Sequence, residues 1–263
     1  MAANSLVNRR VLVTRPEGRA DELMAALTAE GAFCRHLPLL DIEPLEEGEE
    51  ALLECRQRIA DLDHYQSLIF ISVNAVEHGL REIDRLWPQW PKGVTAFAIG
   101  AATQAALCKS DFPVAVGLSL AEPEAGAAMD SEALLARTEF HQVEHQKMLI
   151  FRGLGGREKL ADELRARGAR VDYAQCYRRR ESAVTASELH AALAENRINT
   201  VCLNSGETLL AFSQRLGNSS LKNGLQIVVP SERVAELARK EDFKHIVVSA
   251  NAGTAATVSA LQT

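Results

Sequence analysis

Three segments of this chain occur twice, in the same order, and a chain repeated in this way folds into two like lobes. VLVTRPEGRADELMAALTAEGAFC from Val11 returns from Met148 as MLIFRGLGGREKLADELRARGARV. SLIFISVNAVEHGL from Ser67 is matched by TVCLNSGETLLAF from Thr200, and VTAFAIGAATQAAL from Val94 by LQIVVPSERVAEL from Leu225. The offset is 137 residues between Arg15 and Arg152, 133 between Ser72 and Ser205, and 130 between Gly100 and Pro230. Loop trimming after an old duplication leaves such a drift, whereas chance mimics one pair more easily than three in order. Two like domains imply a cleft, so a functional site is expected where the halves face each other.

The 263 residues suffice for two domains with separate cores. Short apolar, β-rich runs punctuate the chain: VLVT (11–14), LIFI (68–71), FAIG (97–100), MLIF (148–151), TVCL (200–203), QIVV (226–229) and HIVV (245–248). Each leads into a polar or glycine corner and then an amphipathic stretch. Strands apolar on both faces need cover on both faces, which predicts parallel sheets between helix layers, a three-layer α/β/α class. Thr185-Ala-Ser-Glu188 reads as a capping box and Ser231 as a helix cap. Glu46, Glu47, Glu49 and Glu50 read as a solvated helix start, and residues 117–130 as a surface loop. The extended stretches 33–44 and 171–180 exceed the ~2–6 residues of an ordinary helix–strand connection. They read as paired crossovers, with the first strand–helix unit completing the domain built by the C-terminal third. A plain tandem order is the alternative.

A net charge of −6 with three tyrosines and two tryptophans argues against nucleic acid, whose backbone calls for a basic face and stacking aromatics. No run approaches the ~20 apolar residues of a membrane helix. The N-terminal MAANSLVNRRVLVT enters a strand with no apolar signal segment, and the five cysteines are scattered without a CxxC pair. A cytoplasmic protein with reduced thiols is expected.

In open parallel sheets, ligands sit at the carboxyl ends of strands beside helix N-termini. The corners here are Thr14-Arg15-Pro16, Ser72-Val73-Asn74, Gly100 to Thr103, Arg152 to Gly156, Asn204-Ser205-Gly206-Glu207, Pro230-Ser231-Glu232 and Ala250 to Thr254. Their small hydroxyl, amide and glycine residues leave backbone N–H groups open to an oxyanion; taken singly, each is also an ordinary turn or cap. Seven such corners in two facing domains favour a receptor for a polyanion. Arg15 and Arg152 reach into the site or cover their own sheets. Arg178-Arg179-Arg180 reads as a solvated strand end, with an anion site as the alternative. Other motifs fail. Gly153-Leu-Gly-Gly-Arg-Glu158 lacks the last glycine of a dinucleotide loop. His141 and His145 read as a helical surface pair rather than metal ligands, and no serine is framed as GxSxG. Tyr177, at the end of VDYAQCY, carries a phenol suited to donating a proton at neutral pH, or else packs as a hinge residue. A cleft protein that binds an anionic small molecule without catalysis is the competing class.

VLVTRP with its helix and EGA, LIFISVNAV, FAIGAAT, DSEALL, MLIFRG with GGRE and RGA, VDYAQCY and NSGETL together resemble uroporphyrinogen-III synthases, from about Val11 to Ala260. The resemblance implies two flavodoxin-like domains, related by internal duplication and joined by a two-stranded linker: 1–36 with 177–263, and 37–176. It implies a cytosolic, monomeric enzyme without metal or cofactor. The implied substrate is hydroxymethylbilane, delivered by hydroxymethylbilane synthase and carrying eight carboxylates. The implied reaction is its cyclisation to uroporphyrinogen III, with loss of water and inversion of ring D. Tyr177 takes the family's tyrosine position as catalytic acid. Arg15, Ser72, Asn74, Thr103, Arg152, Gly153, Ser205, Gly206 and Ser231 are the expected substrate-binding residues. Ser231 stands where many relatives have threonine, and Pro230 where glycine is common.

Overall fold

The computed structural model describes residues 5–110, 131–156 and 158–263; the expected loop over 117–130 lies outside them. In chain order come β1 (Arg10–Val13), α1 (Asp21–Ala29), β2 (Phe33–His36), β3 (Leu40–Pro44), α2 (Glu50–Ala60), β4 (Ser67–Phe70), α3 (Val73–Leu86), β5 (Thr95–Ala98) and α4 (Ala101–Lys109). Then follow α5 (Ser131–Leu135), β6 (Lys147–Gly153), α6 (Lys159–Ala166), β7 (Arg170–Glu181), α7 (Ala186–Glu195), β8 (Thr200–Cys202), α8 (Gly206–Leu216), β9 (Gln226–Val229), α9 (Glu232–Lys240), β10 (His245–Val248) and α10 (Thr254–Gln262). The chain separates into unit 1, Met1–Asp41 with Arg180–Thr263, and unit 2, Ile42–Arg179. It passes from one to the other twice, within β3 and within β7.

Unit 1 holds a parallel sheet in the order β10-β9-β8-β1-β2. Successive strand residues point to opposite faces. Leu12, Val201, Ile227 and Val229 accordingly pack with Leu189, Phe212 and Val234 of α7, α8 and α9. Their neighbours Val11, Val13, Cys202 and Val228 pack with Leu23 and Leu27 of α1 and Leu261 of α10. Each such fully buried aliphatic side chain stabilises the fold by roughly 1.5–3 kcal/mol. That is why consecutive apolar residues, and not alternating ones, mark these strands.

Unit 2 orders its strands β3-β7-β6-β4-β5, of which β7, β6, β4 and β5 are mutually parallel. Leu68, Phe70, Leu149 and Phe151 meet Ile59 of α2 and Val76, Leu80 and Ile83 of α3. Ile69, Met148 and Ile150 meet Leu134 of α5 and Leu160 and Leu164 of α6. The sequence repeats pair β1 with β6, β2 with β7, β8 with β4 and β9 with β5. Under that pairing the runs β2-β1-β8-β9 and β7-β6-β4-β5 have the same order. The order reverses between β1 and β8 in unit 1 and between β6 and β4 in unit 2, where a doubly wound sheet opens its crevice.

The capping box is formed: the Thr185 hydroxyl accepts the Glu188 N–H at 3.2 Å, and the Glu188 carboxylate accepts the Thr185 N–H at 2.7 Å. Ser231 holds the N-cap position of α9 without a side-chain cap bond. Glu47 is exposed before α2 as expected, and hydrogen bonds from Arg56 at 2.6 Å and Arg85 at 3.2 Å hold its carboxyl down at about 2. One expectation is corrected. His141 and His145 lie in turns, not on a helix; His145 has φ 64°, and the His141 ring meets the Ala136 carbonyl at 3.0 Å.

Candidate functional site

The site in unit 2 begins with a slip between two strands. β7 runs beside β6 in register from Lys147–Arg170 to Arg152–Gln175, and then Gly153 pairs with Tyr177. Cys176 is the extra residue, and a bulge of this kind re-aims the side chain that follows it. Strict alternation would turn Tyr177 away from Cys176, yet Ala174, Cys176 and Tyr177 all pack in one core layer. The Tyr177 ring packs against Gly153, where a Cβ would sit 2.7 Å from Cε2, so the close approach depends on glycine. Gly79 does the same for α3, since a Cβ there would be 2.6 Å from Phe151. The helix thus sits near enough for the His78 ring to stack on Tyr177 at 5.3 Å.

The Tyr177 hydroxyl lies 3.1 Å from Ser72 Oγ, which also caps α3 by accepting the Ala75 N–H at 3.1 Å. Burial pushes the phenol above its ordinary value, and the bond with Ser72 draws it partly back. A phenol in that state is protonated at neutral pH and able to give its proton to a better base.

A cavity of about 450 Å³ opens at these strand ends, its walls including Ile71, Ser72, Ile99, Arg152, Gly153, Gly155, Gly156, Lys159, Tyr173, Tyr177 and Arg179. That volume lies in the range of small-molecule sites, and the wall mixes apolar surface with a few polar groups. Arg152 is 3% exposed. Its guanidinium donates to Glu158 Oε1 at 3.0 Å and to the Gly155 carbonyl, and it stacks 4.5 Å from the centre of the Tyr173 ring. Its Nε has no partner. The second Glu158 oxygen accepts the Tyr173 hydroxyl, which with the Arg152 pair holds that carboxyl below its usual range. Lys159 pairs with Glu132, another wall residue. Within the three-arginine run the roles divide: Arg178 pairs with Glu49, and Arg179 lines the cavity.

Of the expected site residues, Ser72, Arg152, Gly153 and Tyr177 share this cavity wall. Asn74 and Thr103 do not line it; Thr103 is buried in the first turn of α4. In unit 1, Arg15 donates to the Ala252 carbonyl at 2.7 Å and meets the Thr254 hydroxyl at 3.5 Å, bracing the loop before α10. Ser205 caps α8, accepting the Thr208 N–H at 3.1 Å. Gly206 opens that helix against Leu237, 3.3 Å from where a Cβ would stand. Sequence reasoning missed Tyr173, Glu158, Lys159 and His78. Tyr173 had a signal, four residues before Tyr177 on the same strand. Glu158 and Lys159 had none, because their roles come from the fold of the Gly155-Gly156 turn. Among the described residues no group of three His, Cys, Asp or Glu side chains could hold a metal ion, and no helix is long and apolar enough to cross a membrane.

Residues 21–259 match the family described as Uroporphyrinogen-III synthase HemD. A uroporphyrinogen-III synthase from Escherichia coli is 32% identical over 96% of this chain and 99% of its own length. One from Proteus mirabilis is 34% identical over 64% of this chain and 79% of its own. Among solved structures, the uroporphyrinogen-III synthetase of Helicobacter pylori superposes with a TM-score of 0.62 at 15% identity, covering 95% of this chain and 97% of that one. A mutant uroporphyrinogen III synthase from Thermus thermophilus gives 0.57 at 16% identity, covering 97% and 96%. At such identities the structures speak for the α/β fold alone.

Proposed function

The chain belongs to the uroporphyrinogen-III synthase family, and from that premise we propose that its unit 2 cavity acts on hydroxymethylbilane, with Tyr177 as the acid. The proton of the Tyr177 phenol goes to the ring A hydroxymethyl oxygen. The C–O bond breaks, water leaves, and the pyrrole nitrogen lone pair completes an azafulvene. Ring D attacks that carbon through its substituted position, and the spiro intermediate fragments and recloses with ring D inverted. The proton lost on re-aromatisation returns to the phenolate, so the cycle balances as one C–C bond closed and one water released. Every step is a proton transfer, the loss of water or a carbon–carbon rearrangement, so the scheme calls for no cofactor. With this reaction we propose a cyclising lyase, and with the family reading a cytoplasmic monomer fed by hydroxymethylbilane synthase.

The observation that carries this reading is the Tyr177 hydroxyl, held 3.1 Å from Ser72 Oγ in the wall of a cavity that also presents Arg152. General acids of this kind contribute about 10²–10⁴-fold; holding one folded conformer away from water supplies much of the rest. Asn74, Thr103, Gly206 and Ser231 would supply further donors to the substrate carboxylates, while Arg15 and Ser205 hold local structure in their own unit. The two units would be flavodoxin-like domains descended from a duplication and linked through β3 and β7, a reading supported by their common order of four strands. The test is to supply freshly generated hydroxymethylbilane and separate the cyclised isomers by chromatography. Isomer III is expected; isomer I alone, the product of unassisted closure, overturns the proposal.

A further inference from the structure

Two cations of the unit 2 cavity, Arg152 and Lys159, already hold carboxylates of this chain. Glu158 takes the Arg152 guanidinium on one oxygen at 3.0 Å and the Tyr173 hydroxyl on the other. Glu132 takes Lys159. The Glu158–Arg152 pair is lopsided: the Arg152 side chain is 4% exposed, and that of Glu158 is 52% exposed. Arg152 is fixed from beneath by the Tyr173 ring and the Gly155 carbonyl, so it keeps its place without Glu158. Glu158 stands just beyond Gly155 and Gly156, which have φ of 68° and 108°, a turn that only glycines form without strain. One partner is anchored in the wall, and the other reaches over it from a glycine turn. Arg152 also keeps an unpartnered buried Nε, so Glu158 does not saturate it. A guanidinium edge beside a phenol hydroxyl is a two-point receptor for a carboxylate, and here it is filled from within.

We propose that the Arg152–Tyr173 pair is a subsite for a substrate carboxylate and that Glu158 is its resident competitor, displaced when substrate enters. The inference rests on the proposed reaction for the identity of the incoming acid, but the exchange itself is simple. One carboxylate leaves the guanidinium and the phenol for water, and another takes both bonds, with no net change in the charge beside Arg152. The device keeps a buried arginine paired while the cavity is empty, when an unpaired charge would be most costly. It also makes the subsite selective, because only an acid that brings further contacts outcompetes a tethered one.

Glu158→Gln tests the proposal, since it keeps shape and removes charge at an exposed side chain. Removing a competitor of the strength of a surface ion pair strengthens binding by roughly two- to fivefold. The KM for hydroxymethylbilane should fall by that factor, with the gain in KM and not in kcat. Tricarballylate, a small unreactive tricarboxylate, should bind the variant more tightly than the unaltered protein by the same factor in a calorimetric titration. Arg152→Met should lose the tricarballylate signal. If Glu158 serves only to hold Arg152 in place, Glu158→Gln raises KM and weakens the probe, which overturns the proposal. Equal binding, or binding by neither form, overturns it as well. The probe needs no turnover, so absence of isomer III would defeat the proposed reaction while leaving the carboxylate exchange separately measured.

Discussion

Ser72 and Ser205 occupy matching corners of the two units and do the same local work, each capping a helix by accepting a backbone N–H at 3.1 Å. They differ in the next bond. Ser72 Oγ also meets the Tyr177 hydroxyl at 3.1 Å, whereas Ser205 Oγ meets Thr208 of its own helix at 2.9 Å. Arg152 and Arg15 diverge in the same way: Arg152 lines a cavity, and Arg15 braces the Ala252–Thr254 loop of its own unit. Burial lowers the Arg15 pKa from its ordinary high value. The scaffold thus supplies caps and arginines at both switch points. What separates the unit 2 corner is one further residue, Tyr177, delivered by a register slip that unit 1 shows in neither strand pairing of β1.

This contrast can be broken by matched substitutions. Tyr177→Phe should have the largest effect, lowering the rate of isomer III formation by at least tenfold and on the order of 10²-fold if the phenol is the acid. The thermal transition should stay close to that of the unaltered protein; a near-normal rate would leave positioning alone as the source of catalysis. Next, Arg152→Met should raise KM by about tenfold, the value of one charged hydrogen bond. Arg15→Met should cost about 1 kcal/mol of stability and leave KM within about twofold. Equal KM effects would show that both arginines handle substrate.

Ser72→Ala and Ser205→Ala should each cost about 1 kcal/mol as lost helix caps, measured by denaturant unfolding. Only the Ser72 change should also slow turnover, by roughly threefold, because it frees the Tyr177 hydroxyl. A matching loss of rate in Ser205→Ala would erase the asymmetry. The smallest effect is in pH. Burial raises the Tyr177 pKa, so its protonated, competent form persists beyond the pH at which a free phenol titrates. The isomer III fraction should show no alkaline limb due to Tyr177 below that point. A limb near pH 8 that vanishes in Tyr177→Phe would mean that the phenol is acidified instead.

Much of this could be read from the chain. The runs VLVT, MLIF and QIVV are apolar at successive positions, and each is buried on both faces of a sheet. Thr185 and Glu188 formed the box their spacing predicts, because a cap depends only on residues three apart. The His141–His145 pair misled: spacing by four suggests a helix, but His145 adopts a left-handed turn conformation that ends any helical path. Arg178 and Arg179 were indistinguishable in the sequence, and their fates are opposite, an ion pair with Glu49 and a cavity wall.

The repeats and the two-sided apolar strands were enough to determine two parallel-rich sheets with helices on each face, since those follow from local pattern and the need to bury it. They also determined which corners would carry hydroxyls and arginines. Only the tertiary structure decided which of those corners lines a cavity. The slip at Cys176 that turns Tyr177 toward Ser72, the glycine that lets its ring approach so closely, and the reach of Glu158 over Arg152 all depend on how distant strands register. Register is a property of the paired strands together, and neither strand's sequence contains it alone.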